Sequence, residues 1–121
     1  MTVRVLIVDD SRLARMAVIK GLAKLRPSWA YSEASNPDEA VAIMKASAAS
    51  LAIIDFNMPM RDGLMLASEL RELDPKLPIA LLSANAQEEI LNRAAQLGAT
   101  FLSKPLNEAS FGAFLDMATR Q

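Results

Sequence analysis

Short apolar runs alternate with amphipathic segments along this chain, which predicts an α/β fold: a doubly wound parallel sheet of five strands with five helices. Three observations carry that expectation. The strand-then-helix unit recurs five times in series, the pattern of a parallel sheet with helices on both faces. The strands, such as Val3–Val8, Leu51–Ile54 and Pro78–Leu82, are nearly continuous apolar stretches, as suits a sheet covered on both sides. Polar residues cluster immediately after these runs, where the carboxyl ends of parallel strands gather and ligands bind. Right-handed crossovers leave few topologies open.

The elements follow in order. Val3–Val8 forms a buried first strand. Ser11 to about Arg26 predicts a helix with Ala14, Val18, Gly21, Leu22 and Leu25 on one face, and Pro27 stops it. Trp29–Ala34 predicts a second strand. Asn36-Pro37-Asp38-Glu39 opens the next helix: Asn as N-cap, Pro at the first helical position and Glu placed to reach back to the cap. Its inward residues should be Ala40, Ile43, Met44 and Ser47. Leu51–Ile54 is the third strand. Met58-Pro59 and Asp62-Gly63 punctuate the loop after it, with Gly63 able to take positive φ. Leu66, Leu70 and Leu73 stripe the third helix; Pro75 and Pro78 close its exit. Pro78–Leu82 is the fourth strand. Ile90, Ala94 and Leu97 mark a fourth helix that ends at Gly98 as a C′ glycine. Ala99–Leu102 is the fifth strand, and Asn107 caps a last helix packed through Phe111, Phe114, Leu115 and Ala118.

Composition narrows the function. With 121 residues the chain suits one domain, residues 1–121, without a linker, internal repeat or low-complexity segment. It has no cysteine, so no disulfide and no thiolate metal site, and no histidine, so neither imidazole base catalysis nor His-ligated zinc. Lys and Arg number 13 against 14 Asp and Glu, with no basic stripe, which argues against direct nucleic-acid binding. The first apolar stretch is cut short by Asp9, unlike a signal peptide, and no run reaches membrane-spanning length. The cytoplasm is the expected location.

Three separated pieces should converge at one sheet edge: Val8-Asp9-Asp10-Ser11, Ile54-Asp55-Phe56-Asn57-Met58-Pro59 and Leu102-Ser103-Lys104-Pro105. Taken singly, each polar residue has an ordinary explanation. Asp9 or Asp10 caps the first helix, Asp55 leaves the core, Lys104 is a solvated charge and Ser83 caps the fourth helix. Taken together they make an acidic cluster. Ser11 can do the capping and free the carboxylates. Like charges held that close oppose each other's ionisation, and a hard divalent cation relieves the conflict. Mg²⁺ is the expected ion, because it favours one or two carboxylates, several waters and a phosphate oxygen. The Asn57 backbone carbonyl can add one more oxygen. Lys104 would lay its stem along the sheet with its ammonium over the carboxylates, and the Ser83 hydroxyl could donate to a phosphoryl oxygen.

These residues resemble the receiver domain of two-component response regulators, over essentially the whole chain. The resemblance rests on Asp9-Asp10, on Asp55-x-x-Met58-Pro59-x-x-Asp62-Gly63, on Ser83-Ala84, on Phe101 and on Lys104-Pro105, all in order and at family spacing. It implies a flavodoxin-like sheet of order 2-1-3-4-5. Asp55 would be the phosphoacceptor; Asp10 would bind Mg²⁺ directly, Asp9 through water, and Asn57 through its carbonyl. Lys104 and Ser83 would hold phosphoryl oxygens, Phe101 would follow Ser83 as the switch aromatic, and the Lys104–Pro105 peptide would be cis. The donor would be a histidine kinase or a histidine phosphotransfer protein. The output would be a downstream protein bound on the face of helix 4, strand 5 and helix 5, a face that can also support a weak homodimer. Such a chain assists its own phosphorylation and dephosphorylation but is not a turnover enzyme. Phe101 stands where many relatives carry Tyr, and Ser83 where Thr is common; Asn57 and Asn85 flank the expected path of attacking water and could tune dephosphorylation.

Two other classes compete. A phosphate-independent binding module would typically have lost an acidic or lysine position, and here all are kept. An aspartate-nucleophile phosphatase of the haloacid-dehalogenase type would need Asp-x-Asp after the first strand, whereas the candidate nucleophile here reads Asp55-Phe56-Asn57 on the third. A Gly-rich phosphate loop after the first strand is also missing, which disfavours flavin binding and a P-loop. Whether the module stands alone or belongs to a longer regulator stays open at Gln121.

Overall fold

The computed structural model describes residues 3–56, 62–84 and 87–119. Among them lie five strands and five helices in strict alternation: β1 (Arg4–Val8), α1 (Arg12–Leu25), β2 (Ala30–Ala34), α2 (Pro37–Ala46), β3 (Leu51–Asp55), α3 (Gly63–Leu73), β4 (Ile79–Ser83), α4 (Glu88–Gln96), β5 (Thr100–Ser103) and α5 (Glu108–Thr119). All strand pairs are parallel and the sheet order is β2-β1-β3-β4-β5. The switch point lies between β1 and β3, where ligands bind in such sheets.

Strand pleating sorts the core into two layers. Leu6, Val8, Ala52, Ile54, Ile79 and Leu81 pack with α2, α3 and α4 residues such as Met44, Leu66, Leu70 and Ala94. Val5, Ile7, Leu51, Ile53, Ala80 and Leu82 pack on the other face with Val18, Leu22, Phe111, Phe114 and Leu115 from α1 and α5. Every residue of β3 and β4 is buried, in keeping with central strands covered on both sides.

The helix starts have the chemistry their sequences indicate. Ser11 Oγ accepts from Ala14 N, Asn36 Oδ1 from Glu39 N, Asp62 Oδ1 from Met65 N and Asn107 Oδ1 from Ser110 N. Gly98, at φ +70°, follows the C-cap Leu97 of α4.

Several expectations need correction. Glu39 reaches one residue beyond the cap: its Oε1 accepts from both the backbone N and Oγ of Ser35. Both bonds favour the ionised carboxylate and hold the Glu39 pKa below its ordinary value. Ser47 is exposed as the C-cap of α2, and Leu73 is exposed at the end of α3. The inward face of α3 runs instead through Leu64, Leu66, Ala67 and Leu70. Gly63 is the first residue of α3 and is not among the positive-φ glycines. It is small for a different reason: a Cβ there would lie 2.7 Å from the Asp55 carbonyl oxygen and 2.9 Å from Phe56 Cα. Asp55 and Ser83 are the last residues of β3 and β4, one residue beyond the apolar runs Leu51–Ile54 and Pro78–Leu82.

Among the described residues, no helix is long and apolar enough to cross a membrane.

Candidate functional site

Register brings the acidic residues together. β1 pairs with β3 so that Val8 lies opposite Ile54, which places Asp9 beside Asp55 at adjacent strand ends. Asp9 and Asp55 are buried, at 3% and 4% exposure, while Asp10 is exposed at the rim. One carboxylate oxygen from each of Asp9, Asp10 and Asp55 lies within 4.8 Å of the others. Lys104, beyond β5, sends its ammonium across the sheet edge to within 2.8 Å of Asp55 Oδ1 and 3.5 Å of Asp9 Oδ2. The Lys104–Pro105 peptide bond is cis.

The electrostatics follow from this crowding. Burial, more than any other cause, raises the Asp9 pKa above its ordinary value, and the Asp55 charge adds to the rise. The hydrogen bond from Ser11 N to Asp9 Oδ1 (2.9 Å) and the Lys104 charge work against it without cancelling it. For Lys104, burial disfavours the ammonium, but the hydrogen bond and charge of Asp55 and the charge of Asp9 outweigh it, and the pKa rises. One ammonium therefore faces three carboxylates, two of them out of water. That imbalance is costly without a further cation.

The cluster fits a hard divalent ion. Ligands about 2.0–2.1 Å from an octahedral Mg²⁺ lie roughly 3–4 Å from one another, within reach of small adjustments of oxygens already gathered inside 4.8 Å. The donors are all oxygen, as Mg²⁺ prefers. The Asn57 carbonyl, called from the sequence as a further ligand, lies outside the described residues, as do Met58, Pro59 and Asn85.

The switch candidates lie on neighbouring strands. Ser83, buried at the end of β4, pairs in register with Ser103, and Phe101, partly buried on β5, pairs with Leu81. Ser83 does not cap α4, whose N-cap is Gln87.

Two contributors to the site escape a reading by residue type. Gly63 N donates to Phe56 O at 2.8 Å, so α3 begins pressed against the backbone that carries Asp55. The sequence reads its neighbour Asp62 only as loop punctuation, and the close approach leaves no mark in sequence. Arg15, one turn into α1, donates from a terminal guanidinium nitrogen to the Asp9 carbonyl at 2.7 Å. An arginine six residues after an aspartate carries no signal of its own.

Comparison with known proteins agrees with this geometry. The family model of the response regulator receiver domain matches residues 5–115. The chemotaxis protein CheY of Halobacterium salinarum is 33% identical over 111 residues, 91% of this chain and 91% of that protein. The chemotaxis protein CheY of Bacillus subtilis is 34% identical over 103 residues, 84% of this chain and 85% of that protein. The solved structure of the Vibrio cholerae chemotaxis protein CheY4 superposes with a TM-score of 0.87 at 26% identity, covering 98% of this chain and 99% of that one.

Proposed function

The chain belongs to the response regulator receiver domains of two-component signalling, and from that premise we propose that it is a phosphorylation-controlled switch whose phosphoacceptor is Asp55, residues 1–121 forming one receiver domain. The observation that carries the reading is the Lys104 ammonium 2.8 Å from Asp55 Oδ1 inside a cluster of three carboxylates.

An ionised aspartate is a weak nucleophile that needs no base at neutral pH. Phosphoryl transfer needs alignment and charge neutralisation more than covalent assistance. Asp55 Oδ attacks phosphorus, the P–N bond of a donor phosphohistidine breaks, and the histidine nitrogen leaves with the electron pair and takes a proton from water. The donor histidine belongs to a kinase or phosphotransfer protein, since this chain has none. Asp9, Asp10, Asp55 and the Asn57 carbonyl would hold Mg²⁺, which supplies positive charge against the transferring phosphoryl group when bound. Lys104 would exchange its Asp55 bond for one to a phosphoryl oxygen, and the Ser83 hydroxyl would donate to another.

The consequence is a population shift: an arrangement in which Ser83 moves toward the phosphoryl group, with Phe101 following, is favoured by exactly the bonds that phosphate adds. The output face is the surface of α4, β5 and α5, open to a downstream protein or to a weak homodimer. The module signals rather than turning over substrate, and a cytoplasmic setting suits it.

Intact mass after incubation with acetyl phosphate and Mg²⁺ tests the reading. Gain of one phosphoryl group, lost with EDTA and lost in Asp55→Asn, is the expected result. A folded protein that gains none under any condition would instead be a phosphate-independent binding module.

A further inference from the structure

Asp9 is held on every polar atom. Its N–H donates to the Ala34 carbonyl at 3.1 Å, Oδ1 accepts from Ser11 N at 2.9 Å, and Oδ2 faces Lys104 Nζ at 3.5 Å. The remaining group, the carbonyl oxygen, accepts from Arg15 at 2.7 Å. The Nε of the same guanidinium donates to Glu33 Oε1 at 3.0 Å, and the Arg15 side chain is only 14% exposed. Glu33 sits near the end of β2, the strand paired with β1, with Ile7 opposite it in register. One side chain thus ties α1, β1 and β2 together directly behind the acidic cluster.

From this we infer that Arg15 is a positioning residue for cation binding: it fixes the peptide between Asp9 and Asp10 so that both carboxylates face the Asp55 pocket. The inference rests on the reading of Asp9, Asp10 and Asp55 as the Mg²⁺ site. The Asp9 carbonyl is half of the peptide that leads into Asp10, so a tilt of that peptide turns the exposed Asp10 carboxylate away from its partners. A guanidinium suits the task because its planar fork serves two acceptors in fixed directions, which an ammonium on a flexible stem does not. The pairing with Glu33 matters as well. It neutralises Arg15 on the side away from the pocket, so that the positive charge supports the backbone with little repulsion of an incoming cation. Groups in this outer position commonly govern metal affinity tenfold or more while touching no metal.

The test is a titration of the intact chain with MgCl₂ alone, followed through the backbone amide shifts of Ser11 and Gly63, beside a thermal melt of each variant. Arg15→Met should weaken Mg²⁺ binding about tenfold. Arg15→Lys, which keeps the charge but loses the fork, should weaken it by about threefold, and Glu33→Gln by about twofold or less. Arg26→Met is the control for simple loss of an arginine: Arg26 pairs with Asp116 and lies over Trp29, far from the cluster, and its loss should leave Mg²⁺ affinity unchanged. The pattern of affinity, set against the melts, separates positioning from general destabilisation. Wild-type affinity in folded Arg15→Met overturns the inference. If that variant fails to fold, wild-type affinity in Arg15→Lys overturns it equally. A wild-type chain that takes up no Mg²⁺ overturns the reading of the pocket itself, and this inference with it.

Discussion

The junctions that follow β1 and β3 are built differently from the start of α4. After β1, each polar atom of Asp9 has a partner, and Ser11 caps α1 through its side chain. After β3, Gly63 brings α3 into contact with the Asp55 backbone, and Asp62 caps the helix. At α4 the N-cap is Gln87, which makes no side-chain cap bond, and Ile90 and Ala94 are the buried residues of its nine. Leu91 is exposed on its surface. Among the described residues, the first two junctions hold the acidic cluster through packing and hydrogen bonds. The third has no side-chain cap bond, and a helix start without one opens more readily in local fluctuations.

The largest expected effect comes from breaking the rigid side. Gly63→Ala should cost about 1–3 kcal/mol in urea denaturation, because the added methyl meets backbone atoms that cannot rotate away. A neutral result would mean that the α3 junction is as yielding as α4, and the contrast would fail.

A second effect exposes the cost of the acidic cluster. Asp9 has a raised pKa, so the folded chain holds this proton more tightly than the unfolded chain does. The stability it contributes is therefore fully present below the ordinary Asp value and is lost as pH rises through the folded value. At neutral pH without metal, Asp9→Asn should melt higher than wild type, by on the order of 1 kcal/mol. The difference should close on acidification and should shrink when Mg²⁺ is added to the wild type. Melts across pH with and without Mg²⁺ check this, and a variant less stable at neutral pH would show that the Lys104 and Ser11 bonds outweigh burial.

The smallest effect sharpens the comparison at the helix starts. Ser11→Ala should lose about 1 kcal/mol, while Gln87→Ala should stay within about 0.5 kcal/mol, since no cap bond is removed. Gln87→Ser should gain roughly 0.5–1 kcal/mol by supplying a cap. Chemical denaturation reads all three. A loss at Gln87→Ala comparable to that at Ser11 would place α4 among the firmly held elements.

Much of the site was legible in advance because it depends on residue type at strand ends. Asp9, Asp10, Asp55, Ser83 and Lys104 each stand where an apolar run stops, and parallel strands all stop at the same edge. What was misread depends on distance between segments far apart in the chain. Gly63 looked like a residue chosen for its φ angle, because glycine after aspartate usually marks a turn. Only the approach of α3 to β3 shows that the missing Cβ is the point. Glu39 was aimed at its cap, yet the backbone turn at Ser35 offers it two donors. Leu73 continued the heptad-like spacing of Leu66 and Leu70, but it is exposed at the last turn of α3, and Leu64 and Ala67 join Leu66 and Leu70 in the core.

The sequence by itself determined the order of elements, the side-chain caps Ser11, Asn36 and Asn107, and the set of chemical groups brought to one sheet edge, because periodicity, capping and burial act over a few neighbouring residues. Only the tertiary structure decided which of those groups touch. Strand register set Asp9 beside Asp55, the path of Lys104 across the edge chose Asp55 over Asp9 as its closer partner, and the packing of α1 against β1 turned Arg15 onto the Asp9 carbonyl. Contacts of that kind are differences of an ångström between distant segments, and they arise from the packing of the whole core rather than from any local run of residues.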